Sequence, residues 1–419
     1  MRTDWTVFRE LSLPLRLLIF TQFAFNVGFY LVVPFLAAYL EEDLMLAGGL
    51  IGIILGLRTF SQQGLFFLGG AITDWFGVRP VMLAGLAVRV AGFVTLALTR
   101  QLGFVVLGVV LIGVAAALFS PASESAVVGL AGAVEAEGGP NRTIILSLQH
   151  VFSQAGSAVG PALGGILLFV PFRVTCFIAA VLFVLIWLMH AIWLPSGLRV
   201  GAQSRVGESL GVVLRNKEFL AFACVNAVML VGYTQMYLAL PVELTRSGIT
   251  SADITWFFLL ASVFVITCQT KVTRFVDRLP AGRVFQLGYV VVGLSFLLVA
   301  GVAWFPPSGS RAAALPIVGF VVLLHLGSMI TGPRSRDIVA RLAHERQLGA
   351  HMGAMASAGG IAVLLTGGPI GSLLEAAREP GPAAVVPWVV LAVLPFGSAL
   401  IIGPLLARVV PREHDPSRR

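Results

Sequence analysis

Twelve runs of apolar residues, each about 20 residues or longer, dominate the chain. They cover 15–40, 50–73, 80–99, 104–130, 143–169 and 172–194, then 219–242, 253–273, 283–305, 312–332, 350–374 and 385–407. A helix of that length crosses the hydrocarbon core of a bilayer. Backbone in lipid must satisfy its own hydrogen bonds, which runs of this length do as helices. Composition agrees: 58% of the 419 residues are hydrophobic and 11% are charged, against about 25% charged in a soluble domain. Such a chain has no surface to offer water. The expected fold is an all-α integral membrane protein with twelve transmembrane helices.

The remaining charges are sorted by side. With the N-terminus placed inside, 21 of the 28 Lys and Arg residues fall on inner connections and five on outer ones, while Arg58 and Arg89 lie within runs. By the positive-inside rule both termini belong in the cytoplasm. The same sorting accounts for the net charge of +8 without any nucleic acid. Cys176, Cys224 and Cys268 have no metal or disulfide spacing and read as small buried residues. No phosphate-binding loop, zinc signature or nucleophile motif appears, so nothing supports ATP-driven pumping or an enzyme.

The longest polar connection follows the sixth run. It divides the chain into an N-terminal six-helix half (1–194), a central cytoplasmic loop (195–218) and a C-terminal six-helix half with a short tail (219–419). The halves echo each other. Aligning Pro121 of "SPASESAVVGL" with Pro333 of "TGPRSRDIVARL" also aligns Ser123 with Ser335, Val127 with Val339 and Leu130 with Leu342. Two pseudo-symmetric six-helix halves are a transporter signature, with substrate bound between them near mid-membrane.

The loop after the second run reads "GGAITDWFGVRPVM", so Gly70, Asp74, Gly77 and Arg79 fit G-x-x-x-D-x-x-G-x-[RK]. Gly70 would let the second helix lie close to a neighbour, Gly77 would supply a turn, and Asp74 and Arg79 could make charge pairs. With the twelve runs, this loop resembles the gate loop of the major facilitator superfamily. The resemblance implies a latch at the cytoplasmic ends of the helices in the outward-facing state, in which Glu124 would pair with Arg79. A solvated acid at a helix end is the alternative for Glu124.

The fifth run carries "GSAVGPALGG". Gly156, Gly160 and Gly164 are four residues apart and stack on one helix face. That face admits another helix closely, and Pro161 removes one backbone hydrogen bond. With Gly165, the pattern G-x-x-x-G-P-x-x-G-G resembles the motif of the exporting, proton-antiporting branches of the superfamily, although a packing face alone would also use it. "LGLRTFSQQGLFFLGGAITDWFG" and "AVRVAGF" look like the MdtH-type multidrug efflux proteins within the twelve-span drug:proton antiporter family. Two differences stand out. The first run carries Gln22, Asn26 and Tyr30 but no acid, and the middle of the fourth has no arginine.

Candidates for the substrate or proton pathway are the polar residues that the resemblance places on cavity-lining helices, Asn26, Tyr30, Asn226, Tyr233 and Gln235. The embedded charges Arg58 and Arg89 join them, with His150 and His325 as groups able to titrate near neutral pH. Arg58 could snorkel to the outer edge, either arginine could bond backbone carbonyls between helices, and either histidine could be a satisfied core residue. The expected function is a secondary-active exporter of small amphipathic or drug-like molecules by proton antiport. It would use the proton gradient and no cofactor, and work as a monomer in the lipid bilayer; the resemblance implies that this is the cytoplasmic (inner) membrane of a bacterium. Two alternatives stay open: a transporter for a specific, anionic metabolite, and a non-transporting receptor or scaffold.

Overall fold

A computed structural model describes residues 8–195, 206–249, 253–304, 314–343, 348–379 and 381–409. Twelve helices within it are long and apolar enough to cross a membrane. They are α1 (Leu13–Asp43), α2 (Gly48–Phe76), α3 (Val78–Leu98), α4 (Leu102–Ala136), α5 (Ile144–Phe169) and α6 (Phe172–Trp193). The C-terminal half supplies α7 (Lys217–Arg246), α8 (Ile254–Val276), α9 (Ala281–Ala303), α10 (Ala314–Leu342), α11 (Leu348–Ala376) and α12 (Pro382–Ala407). Twelve crossings return the chain to the side on which it started. That side is called here the terminal face, and the opposite side the distal face.

Each half repeats one packing scheme. α3 packs on α4 and α6, and α9 packs on α10 and α12. α1 lies on α5, and α7 on α11. Between the halves, α2 runs against α11, α5 against α8, and the distal end of α1 against α7. The α2–α11 seam is glycine on both sides: a Cβ at Gly52 would strike the carbonyl of Gly367, and one at Gly371 would strike that of Gly48. Backbones can approach this closely only where neither helix carries a side chain.

Three expectations need correction. α4 continues to Ala136 rather than ending near 130, because its last turns are helical beyond the apolar run. Residues 196–205 of the central loop and the tail beyond 409 lie outside the described residues. Within the same loop, Val206–Arg215 is a helix that buries Val213 in one cluster with Phe219 and Phe222. Of the cysteines, only Cys176 is buried; Cys268 is half-buried and Cys224 exposed, since an apolar run in a bilayer need not face protein.

Candidate functional site

The polar groups at mid-membrane gather around Arg58. Here α2 changes hand-hold: a π-helical turn, Phe60–Gly64, follows the α-helical Gly48–Thr59 directly. Single π-turns inside long helices occur often at functional sites. Arg58 is 6% exposed, so it does not snorkel. Its Nη1 donates to Gln62 Oε1 at 3.2 Å and its Nη2 to Thr59 Oγ1 at 3.1 Å. The rings of Phe29 and Tyr237 lie 5.3 and 5.8 Å from its guanidinium carbon. Local partners and aromatic faces hold the charge inside.

Beside it three tyrosine hydroxyls form a chain. Tyr30 and Tyr233 are 3.2 Å apart, and Tyr233 and Tyr237 are 3.5 Å apart. Tyr30 belongs to α1 and the other two to α7, so the chain joins the two halves. His325 of α10 stands behind it, with ring centres 6.0 Å apart from Tyr233 and Nδ1 bonded to the Val321 carbonyl. Gln235 donates from Nε2 to the Val231 carbonyl, and its buried Oε1 has no partner among the described residues.

Two spaces flank this cluster. Distal to it, a cavity of about 20 Å³ is lined by Arg58, Gln235, Tyr237 and Thr366 with the α2–α11 glycines. Toward the terminal face, a cavity of about 270 Å³ is lined by Gln63, Asn226, Met229, Tyr233, Ser328 and Met355. Asn226 accepts from the Tyr289 hydroxyl at 3.1 Å and turns its amide to the Met355 sulfur. The larger cavity is apolar with a few uncharged polar groups, as small-molecule sites generally are. Thus Tyr30, Arg58, Tyr233, Gln235 and His325 come together, with Asn226 on the cavity wall.

The other candidates lie elsewhere. Asn26 donates to the Ser153 carbonyl and hydroxyl, both at 2.8 Å, and so ties α1 to α5. Arg89 is fully buried inside the N-terminal half, with the rings of Phe25, Phe183 and Phe29 at 4.3, 5.2 and 5.7 Å. None of its three nitrogens has a hydrogen-bond partner among the described residues. His150 is exposed near the terminal end of α5.

The glycines of α5 divide between two neighbours. A Cβ at Gly160 would sit 2.6 Å from Tyr30 Cβ and 2.9 Å from the Val27 carbonyl oxygen, while Gly156 and Gly164 face the carbonyls of Phe23 and Leu31. Gly165 instead faces Thr255 of α8, whose hydroxyl donates to the Pro161 carbonyl at 3.0 Å.

The gate loop departs from expectation in two ways. Gly77 does supply the turn, at φ 85°. Gly70, however, has nothing within 4 Å of a built Cβ; the close approach is made by Gly69, against the Ala117 carbonyl of α4. One residue of helix is about 100° of rotation, so the expected face was missed by one position. Arg79 donates from Nη2 to the Ala191 carbonyl at the end of α6. Neither Asp74 nor Glu124 forms an ion pair with it among the described residues. Glu124 is exposed, and Arg336, at the position aligned with it in the second half, interacts electrostatically with both Glu124 and His150.

At the distal face, contacts between halves close the structure. Arg378 pairs with Glu41 at 2.9 Å, and Glu375 Oε2 accepts from the Gly48 amide at 2.8 Å. Near the distal end of α7, Glu243 is buried and paired with Arg246.

The sequence profile of the Major Facilitator Superfamily matches residues 18–367. The chain belongs to this superfamily. An uncharacterised superfamily transporter of Mycobacterium tuberculosis (strain H37Rv) is 32% identical over 382 residues, covering 89% of this chain and 88% of the relative. The multidrug resistance protein MdtH of Escherichia coli O9:H4 is 27% identical over 381 residues, covering 90% of each. Among solved structures, the nucleoside transporter NupG matches with a TM-score of 0.77 at 14% identity, covering 94% of this chain and 99% of that one. A peptide transporter matches with a TM-score of 0.75 at 14% identity, covering 97% and 98%. These likenesses fix a superfamily fold and a transport protein rather than an enzyme. The residues that sequence reasoning missed in this member are Gln63, Met229, Tyr237, Ser328 and Met355. Only Tyr237 carried a signal, one helical turn beyond Tyr233.

Proposed function

We propose that the protein exports small amphipathic or drug-like molecules from the cytoplasm by proton antiport and alternating access. The observation that carries this reading is the cavity of about 270 Å³ between the halves, whose apolar wall and uncharged polar groups suit varied amphipathic cargo. Likeness to MdtH over 90% of the chain supports it, as does the α5 glycine face, which couples α1 to α8. The terminal face is then the cytoplasmic side of a bacterial inner membrane, and the structure is the state closed to the outside. The two six-helix halves, 1–194 and 219–419, rock about the tyrosine chain as a monomer, and the proton gradient is the only energy source. In the opposite state Arg79 leaves Ala191 and latches to Asp74 and Glu124.

Reconstitution into proteoliposomes with an imposed pH gradient tests this. An amphipathic dye should move against its gradient while the pH difference lasts and stop when a protonophore collapses it. Movement that is indifferent to the pH gradient would remove proton antiport. No movement of any dye would remove the exporter.

A further inference from the structure

Arg58 and Arg89 place two positive charges in the membrane interior, and the ion pairs among the described residues include neither of them. The buried acid nearest the distal end of α7, Glu243, is already paired with Arg246. A buried charge without a counter-charge is strongly unfavourable, and of the two arginines Arg58 is the one that borders a cavity through which a counter-charge from outside the chain can reach it.

The hydrogen-bond inventory around Arg58 says what kind. A guanidinium has five N–H donors and no acceptor. Two are used, on Gln62 and Thr59. Three tyrosine hydroxyls joined by two hydrogen bonds leave one O–H free. The cluster therefore carries a surplus of donors on a cationic centre, at a π-turn, between α2 of one half and α7 and α11 of the other. The small cavity at its distal side also presents the unpartnered Gln235 Oε1, on a residue 2% exposed. That acceptor is free for a water or for an N–H or O–H of the bound molecule.

We propose that Arg58, with the free hydroxyl of the Tyr30–Tyr233–Tyr237 chain, binds the anionic head group of the cargo, a carboxylate, sulfonate or phosphate, whose apolar body occupies the cavity lined by Met229, Leu230 and Met355. The preferred substrates are amphipathic anions. This inference rests on the exporter reading above and names its substrate class. The head group enters where Tyr233 borders the cavity and breaks the Tyr30–Tyr233 bridge between the halves. Binding of the anion and parting of the halves at the centre are then one event.

The test uses the full chain in lipid nanodiscs, with empty nanodiscs as blank, and three probes of one shape: 1-pyrenebutyrate, its amide, and 1-pyrenebutylamine. The carboxylate should bind at least about tenfold tighter than the amide, and the ammonium weakest. Arg58→Gln should weaken the carboxylate by about thirtyfold or more, the usual cost of truncating a buried charge pair, and leave the amide within about twofold. Arg58→Lys, which keeps the charge without the planar fork, should fall between. If Arg58→Gln does not fold, Arg58→Lys and Tyr237→Phe carry the comparison, each judged by the carboxylate-to-amide ratio. Equal affinities for the carboxylate and amide in the wild type overturn the anion site while leaving the exporter standing. Arg58-dependent protection by sodium chloride or sulfate, without any carboxylate preference, assigns the site to a free inorganic anion and also overturns the cargo reading. Failure of all three probes to bind and to be transported counts against the exporter itself, and the inference falls with it.

Discussion

Arg89 shows what a single buried charge costs and what holds it. Three phenylalanine rings surround the guanidinium, the nearest at 4.3 Å, and desolvated cation–π contacts contribute about 2 kcal/mol or more. Five N–H donors without partners outweigh that, since each unmade buried hydrogen bond costs about 1–3 kcal/mol. An apolar side chain of similar length should therefore serve stability better. Arg89→Met is expected to unfold at the same or a higher temperature than the wild type. Arg89→Ala, which leaves a cavity among Phe25, Phe29 and Phe183, should lose roughly 2–5 kcal/mol. Thermal unfolding of the purified variants checks both. A Met variant as unstable as the Ala variant would mean that Arg89 has an anionic or water partner. Arg58, by contrast, borders a cavity and two halves. The distinction between the two arginines was invisible in sequence, where both are charges inside apolar runs.

At the scale of helices, packing faces are set by registers that differ by one residue. Gly69 and Gly70 are adjacent, yet a Cβ on the first meets the Ala117 carbonyl and a Cβ on the second meets nothing within 4 Å. Gly69→Ala should destabilise α2 against α4 by about 1–3 kcal/mol, the ordinary cost of overpacking. Gly70→Ala should be neutral or gain up to about 1 kcal/mol of helix propensity. Paired melting curves decide this, and a damaging Gly70→Ala would return that glycine to a packing or gating role. On α5, Gly160→Leu has Tyr30 Cβ at 2.6 Å and no room to rotate away. It is expected to abolish dye transport while surface expression persists, measured on the same cells. The helices themselves were legible because a bilayer admits few structures, and long apolar runs leave little choice. The site was less so. Gln63, Met229, Ser328 and Met355 stand on four different helices from two halves, and no local pattern tells which of their faces converge. Residues already marked by charge or aromatic hydroxyls, such as Arg58, Tyr30 and Tyr233, could be picked out. Asn26 could be picked out too, but its amide is engaged by Ser153.

On the proposed exporter reading the whole molecule is a two-state device, and its distal face sets how small the balance is. The Glu41–Arg378 pair joins the end of α1 to the connection after α11, and its side chains are 34% and 49% exposed. A pair that exposed contributes only about 0–1 kcal/mol. Glu375 reaches from α11 to the first amide of α2, where the helix dipole favours an anion by about 0.3–1 kcal/mol. Both contacts join opposite halves and would be lost if the distal face opened. Together they bias the closed state by about 0.3–2 kcal/mol, a population change of about two- to thirtyfold. Glu375→Ala combined with Arg378→Ala should therefore raise the distal-open population, with the fold intact because neither residue is in a core. Spin labels at Gln101 and Thr245, exposed positions near the distal ends of the two halves, would report it as a longer-distance population. The labelling background needs Cys224 and Cys268 replaced by Ser, whereas buried Cys176 can stay. The wild type in about 1 M salt should move part of the way, since screening weakens the exposed ion pair while leaving the glycine seam untouched. If the distance distribution in the double variant matches the wild type, the Gly48–Gly371 and Gly52–Gly367 contacts hold the distal face shut on their own, and opening must be driven from the cargo site.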